Sequence, residues 1–117
     1  MDKPQSKIVI ALLKPNHRDE TQLCRELESF FGPIDFKGHW EPFSGTSYYE
    51  EEFGKNLQRR LIGFQILDCA SKLPLWKHIC SKMEFEFSEK GKRIFNIDIG
   101  YLDNDKFVLA SFKRGDR

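Results

Sequence analysis

The sequence predicts an α+β fold in which two helices cover one face of an antiparallel sheet, and three observations carry that prediction. Apolar strand-like runs alternate with two segments whose apolar residues recur at the helical period. The order of the segments is strand, helix, strand, strand, helix, strand, strand. The breaks between them fall at glycine, proline and short polar clusters. With 117 residues the chain has room for one core, so residues 1–117 are expected to form a single domain.

KIVIALLK (7–14) is an unbroken apolar run rich in Ile and Val, ended by Pro15, the pattern of a buried strand. Asp19 is placed to cap a helix over 19–31, where Leu23, Leu27, Phe30 and Phe31 form a stripe until Gly32 and Pro33 stop it. IDFKGHW (34–40) sets Ile34, Phe36 and Trp40 around Gly38 and predicts a strand with a bulge at the glycine; PFSGTS is then a loop. LQRRLIGFQIL (57–67) is a strand with Ile62, Phe64 and Ile66 on one face. Ser71 is a candidate cap and Pro74 falls in the first turn of a second helix, with Trp76, Ile79, Cys80, Met83 and Phe87 as its stripe and an end near Glu89 to Gly91. RIFNIDIG and KFVLASF are two last strands separated by the turn-rich YLDND. This order is that of the split βαβ, ferredoxin-like sandwich with one strand added at the C-terminus.

Composition excludes several classes of function. Lys and Arg number 19 against 18 Asp and Glu, a net charge of +1, which gives little electrostatic drive toward nucleic acid. The N-terminal MDKPQSK is polar, and IVIALL is too short for a signal-peptide core or a membrane span. A cytoplasmic protein with no membrane partner is expected. Cys24, Cys69 and Cys80 are odd in number and make no Cys-x-x-Cys pair, which fits structural thiols in a reducing compartment.

Four stretches, TSYYEEEFG, RRLIGFQ, FNIDIGYL and FVLASFK, in this order and spacing resemble an uncharacterised prokaryotic family, domain of unknown function 4416. The resemblance covers nearly the whole chain and implies no established activity. Ile99 stands where the family turn carries proline, Phe53 where it carries methionine, and Phe112 where it carries threonine. Relatives continue beyond the point where this chain stops at FKRGDR, so a C-terminal extension is expected to be lacking here.

The acidic run Glu50, Glu51 and Glu52 needs compensation. If Gly54 and Asn56 supply left-handed positions in a three-residue GKN connection, YYEEEF and LQRRL form a hairpin. Phe53 would then face Leu57, Glu51 would face Arg59 and Glu50 would face Arg60. Each of the two opposite-charge pairs would contribute about 0.2–1 kcal/mol. The plain reading is a solvated ladder of ion pairs. The sharper one is a site that binds, or turns over, a small anionic molecule, built from Tyr48, Tyr49, Glu52, Arg60, Asn96 and Asp98, with the arginine as the anion's anchor.

Glu50, Glu52, Asp98 and His39 have no diagnostic metal-ligand spacing, and no phosphate-loop, dinucleotide or nucleophile-elbow motif is present, so no metal and no cofactor is assigned. KPNHRD (14–19) and the basic SEKGKR (88–93) are read as solvated loops. The second functional reading is self-association. KFVLASF is apolar on both faces, with Phe107, Leu109 and Ser111 on one and Val108, Ala110 and Phe112 on the other, and two helices can cover only one side of a sheet. A homodimer burying this strand is the corresponding expectation.

Overall fold

The computed structural model describes residues 3–43, 47–103 and 107–110. Its elements are β1 (Ser6–Pro15), α1 (Thr21–Phe31), β2 (Ile34–Lys37), β3 (Glu41–Phe43), α2 (Ser47–Phe53), β4 (Leu57–Asp68), a 3₁₀ turn (Ala70–Lys72), α3 (Leu73–Glu86), β5 (Asn96–Leu102) and β6 (Phe107–Ala110). The strands form one antiparallel sheet ordered β2-β4-β1-β5-β6, with β3 paired to the same strand as β2, β4. β2 therefore runs parallel to β1 with β4 inserted between them, and β5 parallel to β4 with β1 between. This is the split βαβ order with β6 added outside β5, as the element order predicts.

β1 is the centre of the sheet. Its even-numbered residues Ile8, Ile10 and Leu12 join Ile62 and Phe64 of β4 and Ile97 and Ile99 of β5 on one face. Over that face lie Leu23, Leu27 and Phe31 of α1 and Trp76, Cys80 and Met83 of α3. Each fully buried side chain of this size contributes about 1.5–3 kcal/mol, so this layer carries most of the stability. Phe31 meets the Phe64 ring edge-on at 5.6 Å. Two stripe assignments change: Phe30 and Ile66 both end up 56% exposed, because they lie beside the packed rows and not in them.

The helix boundaries also shift. α1 starts at Thr21 after Glu20, and Asp19 accepts a hydrogen bond from the Thr21 hydroxyl (3.0 Å) in place of capping the backbone. α3 carries its proline in the first turn as expected, but Ser71 makes no cap and lies in the preceding 3₁₀ turn. The strand predicted over 34–40 is interrupted after Lys37. Gly38 donates to Leu61 (2.8 Å), and the chain resumes pairing over Glu41–Phe43, running into the stretch from Pro42 that the sequence suggests is a loop.

The largest correction concerns the hairpin. Residues 47–53 form a helix, so Glu51 does not face Arg59 and Glu50 does not face Arg60; Arg59 pairs across the sheet with Glu41 and Leu13, and Arg60 with Leu12. Gly54 and Asn56 do take left-handed angles (φ 91° and 60°), but they terminate a helix, where Gly54 donates to Glu50 (2.9 Å). A helix wins because Tyr49 and Phe53, four residues apart, meet as tilted rings at 6.0 Å and pack together over Leu13 and Leu57 with Phe43 alongside. The Phe53 to Leu57 neighbourhood survives, in this small second core on the other face of the sheet.

The rest of that second face is uncovered among the described residues. Phe36, Leu61, Leu102, Phe107 and Leu109 project from it and are 39–52% exposed. Ser111 and Phe112, which the strand expectation includes, lie outside the described residues.

Candidate functional site

The acidic run is answered by an arginine that sequence reasoning missed. Glu52, at the end of α2, receives two hydrogen bonds from the Arg93 guanidinium, both 2.9 Å, and a third from the Arg93 backbone N–H at 3.0 Å. Arg93 also donates to Glu84 of α3 (3.2 Å) and to the side-chain oxygen of Asn96 (3.0 Å), and it lies 5.0 Å from the Phe53 ring centre. Asn96 in turn donates to Asp98 (3.2 Å), and the second oxygen of Glu84 accepts from the Ile97 backbone N–H at 2.6 Å. The guanidinium fork thus joins α2 on one side of the sheet to α3 on the other around the free end of β5. Burial disfavours its charge. The hydrogen bonds and charges of Glu52 and Glu84 outweigh that cost and hold the guanidinium above its ordinary value.

Glu52, Asn96 and Asp98 are therefore brought together, with Tyr49, one turn earlier on α2, against Phe43 and Phe53. Tyr48 lies on α2 and its side chain is outside the described residues. Arg60 is not part of this cluster. It points to the α1 side, where it donates to the Gly38 carbonyl (2.9 Å) and to Glu20 (3.4 Å) and lies 4.5 Å from the Trp40 ring. Arg93 occupies the role given to Arg60, but its donors are turned to Glu52, Glu84 and Asn96, a structural clamp more than an anchor for a ligand. One sequence signal pointed there: Glu84 interrupts the apolar stripe of α3 one residue after Met83, and a glutamate is rarely buried without a partner.

Arg60 shares Trp40 with Lys14, which is 3% exposed and 4.7 Å from the ring. The Lys14 ammonium reaches the Pro15 and Asn16 carbonyls at 3.3 and 3.4 Å and Glu20 at 3.9 Å. Burial pushes its pKa below the ordinary 10.5, and Glu20 offsets this only in part. The folded protein releases this proton before the unfolded chain does, so its stabilising contribution is full above 10.5 and is lost as pH falls through the lowered value. Stability of the wild type should rise with pH across that window relative to a Lys14→Met variant, whose urea midpoint should lack the increment.

A second concave feature lies on the uncovered sheet face. It is a groove of about 480 Å³ with Ala11 and Leu61 in its floor, Phe107 and Leu109 of β6 on one side, and Phe36, Glu41 and Phe43 of β2 and β3 on the other. Arg59 lines it with its guanidinium 5.0 Å from the Phe43 ring centre, and His39 and Arg60 are lining residues too. Among the described residues Arg59 has no carboxylate within ion-pair distance, and no group of His, Cys, Asp and Glu is arranged to hold a metal. No helix of the described residues is long and apolar enough to cross a membrane.

Residues 4–117 match the family model of the domain of unknown function DUF4416. The chain belongs to this family. Neither the curated proteins nor the solved structures give a match. The family's polar stretches now have positions: YYEEE is α2, and NIDIGYL is β5, and they meet through Arg93, which lies three residues before Asn96.

Proposed function

We propose that the protein binds a small molecule that joins one carboxylate or phosphate to an apolar body, seated in the groove on the uncovered sheet face with its anion on Arg59. The observation that carries this reading is the Arg59 guanidinium, without a carboxylate partner among the described residues, in a concavity lined mainly by apolar side chains whose volume, about 480 Å³, suits a metabolite-sized ligand. The ring of Phe43 holds the guanidinium plane in place, and an anion there gains two parallel N–H donors. Glu41, across the strand pair from Arg59, would favour a hydroxyl or amino group next to the anion. This keeps the ligand class that the sequence suggests but moves its anchor from Arg60 to the preceding arginine. A cytoplasmic location belongs to the same reading, supported by three free thiols.

Thermal shift with octanoate against octanol tests it. The carboxylate should raise the melting temperature of the wild type, and Arg59→Ala should bind it about tenfold more weakly. Arg59 is exposed, so the variant itself should keep its stability to within about 0.5 kcal/mol. Equal responses to acid and alcohol, or an unchanged response in Arg59→Ala, would sink the assignment.

Self-association is the second reading, favoured by β6. Among the described residues it pairs only with β5, and its Phe107 is 50% exposed beside Leu102 at 44%. A second copy added at this edge would cover those residues. Sedimentation should then show a dimer that Phe107→Glu converts to monomer; a monomer at all concentrations removes this reading and leaves the ligand groove untouched.

A further inference from the structure

Two basic segments far apart in the chain meet beside the C-terminal end of α2. His17 and Arg18 follow β1, and Lys90 and Lys92 follow α3; together with Glu52, Glu89 and Arg93 they line a cleft of about 270 Å³ that shares no lining residue with the groove. Its walls are tied in place. Arg18 grips Glu89 through two hydrogen bonds of 3.2 and 2.8 Å, and Arg93 grips Glu52 through two of 2.9 Å. Glu89 and Lys92 exchange backbone hydrogen bonds of 2.8 and 2.9 Å around a two-residue turn, and Asn16 donates to the Asn56 carbonyl at 2.8 Å.

Both carboxylates in the cleft are thus already engaged by arginines, and the Arg18 hydrogen bond holds the Glu89 carboxyl below its ordinary range. Lys90 and Lys92 have no such partner among the described residues. The turn that presents them is costly: Lys90 has φ 53° and Gly91 φ 78°, and a lysine in the left-handed region gives up about 1–2 kcal/mol that glycine or asparagine would keep. A rigid turn carrying an unneeded lysine in a strained position, aimed with a second lysine at a cleft whose anions are neutralised, is a site arranged for negative charge.

We propose that this cleft binds a phosphate group, free or carried by a small phosphomonoester, with Lys90 and Lys92 as its cations and His17 as a further donor. The volume lies below that of a pocket for a drug-sized ligand, which limits the occupant to a compact anion. Two ammonium groups match the charge of about −1.5 to −2 on a phosphomonoester at neutral pH better than the single charge of a carboxylate. The site is independent of the groove proposed above, and either stands if the other fails.

The test is a titration followed by amide chemical shifts, with inorganic phosphate, phenyl phosphate and acetate as probes at fixed ionic strength. Inorganic phosphate should move the Lys90, Gly91 and Lys92 amides saturably, and acetate should not. A Lys90→Gly/Lys92→Ala variant should bind phosphate about tenfold more weakly. Its melting temperature should be no lower than that of the wild type, because glycine accepts the left-handed position without strain. Saturation by phenyl phosphate alone would identify an esterified phosphate as the ligand, and saturation by both a site for the phosphate group itself. The absence of saturable shifts with either phosphate, or equal affinity in the variant, would overturn the proposal.

Discussion

An Arg93→Ala variant should lose about 3 kcal/mol of stability, the low end of what is lost when one partner of a buried ion pair is removed. The low end applies because the Arg93 side chain keeps 17% of its exposure and that of Glu52 31%, so solvent screens part of the pair. The damage concentrates at Glu84, whose side chain is 10% exposed and whose second oxygen is committed to the Ile97 N–H at 2.6 Å. With Arg93 gone, that carboxylate stays buried and loses the guanidinium that balances its charge. For a domain of this size the change corresponds to a fall in melting temperature of roughly 10–20 °C. Glu84→Gln in the Arg93→Ala background should recover part of the loss, since the amide oxygen still accepts from Ile97 and the charge that Arg93 balanced is gone. Arg93→Lys should fall between, because an ammonium cannot serve Glu52 and Glu84 through a planar fork. Equilibrium urea denaturation of the set measures all of this; an Arg93→Ala midpoint equal to the wild type would show the clamp to be ornamental.

That clamp also marks where the sequence was legible and where it was not. The apolar runs and stripes gave the sheet and the two long helices because each element buries a continuous face: Ile8, Ile10 and Leu12 on β1, Leu23 and Leu27 on α1, and Trp76, Cys80 and Met83 on α3 all settle in one core. Periodicity is a local signal, and a layered fold rewards it directly. The segment at 47–53 had no such rescue. Tyr, Glu and Phe serve a strand by alternation and a helix by the four-residue spacing of Tyr49 and Phe53, and the choice depends on Leu13 and Leu57, which the fold brings from other strands. The left-handed residues Gly54 and Asn56 were read correctly as chain reversals, yet a reversal ends a helix as well as it closes a hairpin.

The candidate site was half legible for the same reason. Glu52, Asn96 and Asp98 stand out as polar residues in otherwise apolar company, and they do come together. Which arginine joins them was a question of long-range placement. Arg60 lies on a strand residue paired with Leu12 and so faces α1, whereas Arg93 precedes β5 at the sheet's end and reaches both faces. The groove with Arg59 lies between β3 and β6, each paired with a strand close by in sequence; what sets them across one face from each other is the long-range pairing of β1 with β4 and β5, which no local pattern announces.

The other large effect expected is at Gly100, and it reaches the groove through β6. Gly100 lies on the uncovered face of β5, opposite Leu109, and the backbone of β6 passes directly over it. A Cβ added there would run into the Val108 carbonyl oxygen and come within 2.6 Å of the Leu109 Cα. Both are backbone atoms, so no rotamer change relieves the contact and the strand itself must move. Gly63 on β4 provides the contrast: its added Cβ would meet the Lys7 Cε at 3.1 Å, a side-chain atom that can give by a few tenths of an ångström without moving any backbone. Gly100→Ala should therefore cost about 1–3 kcal/mol, as overpacking of a close contact does, while Gly63→Ala should cost less. Displacing β6 also removes Phe107 and Leu109 from the groove wall, so Gly100→Ala should abolish the octanoate response that Gly63→Ala retains. Amide hydrogen exchange locates the effect: in Gly100→Ala the amides of residues 108–110 should exchange faster while those of β1 and β4 stay protected. Uniform acceleration over the whole sheet, or unchanged protection at 108–110, would mean that β6 is not held by its approach to Gly100.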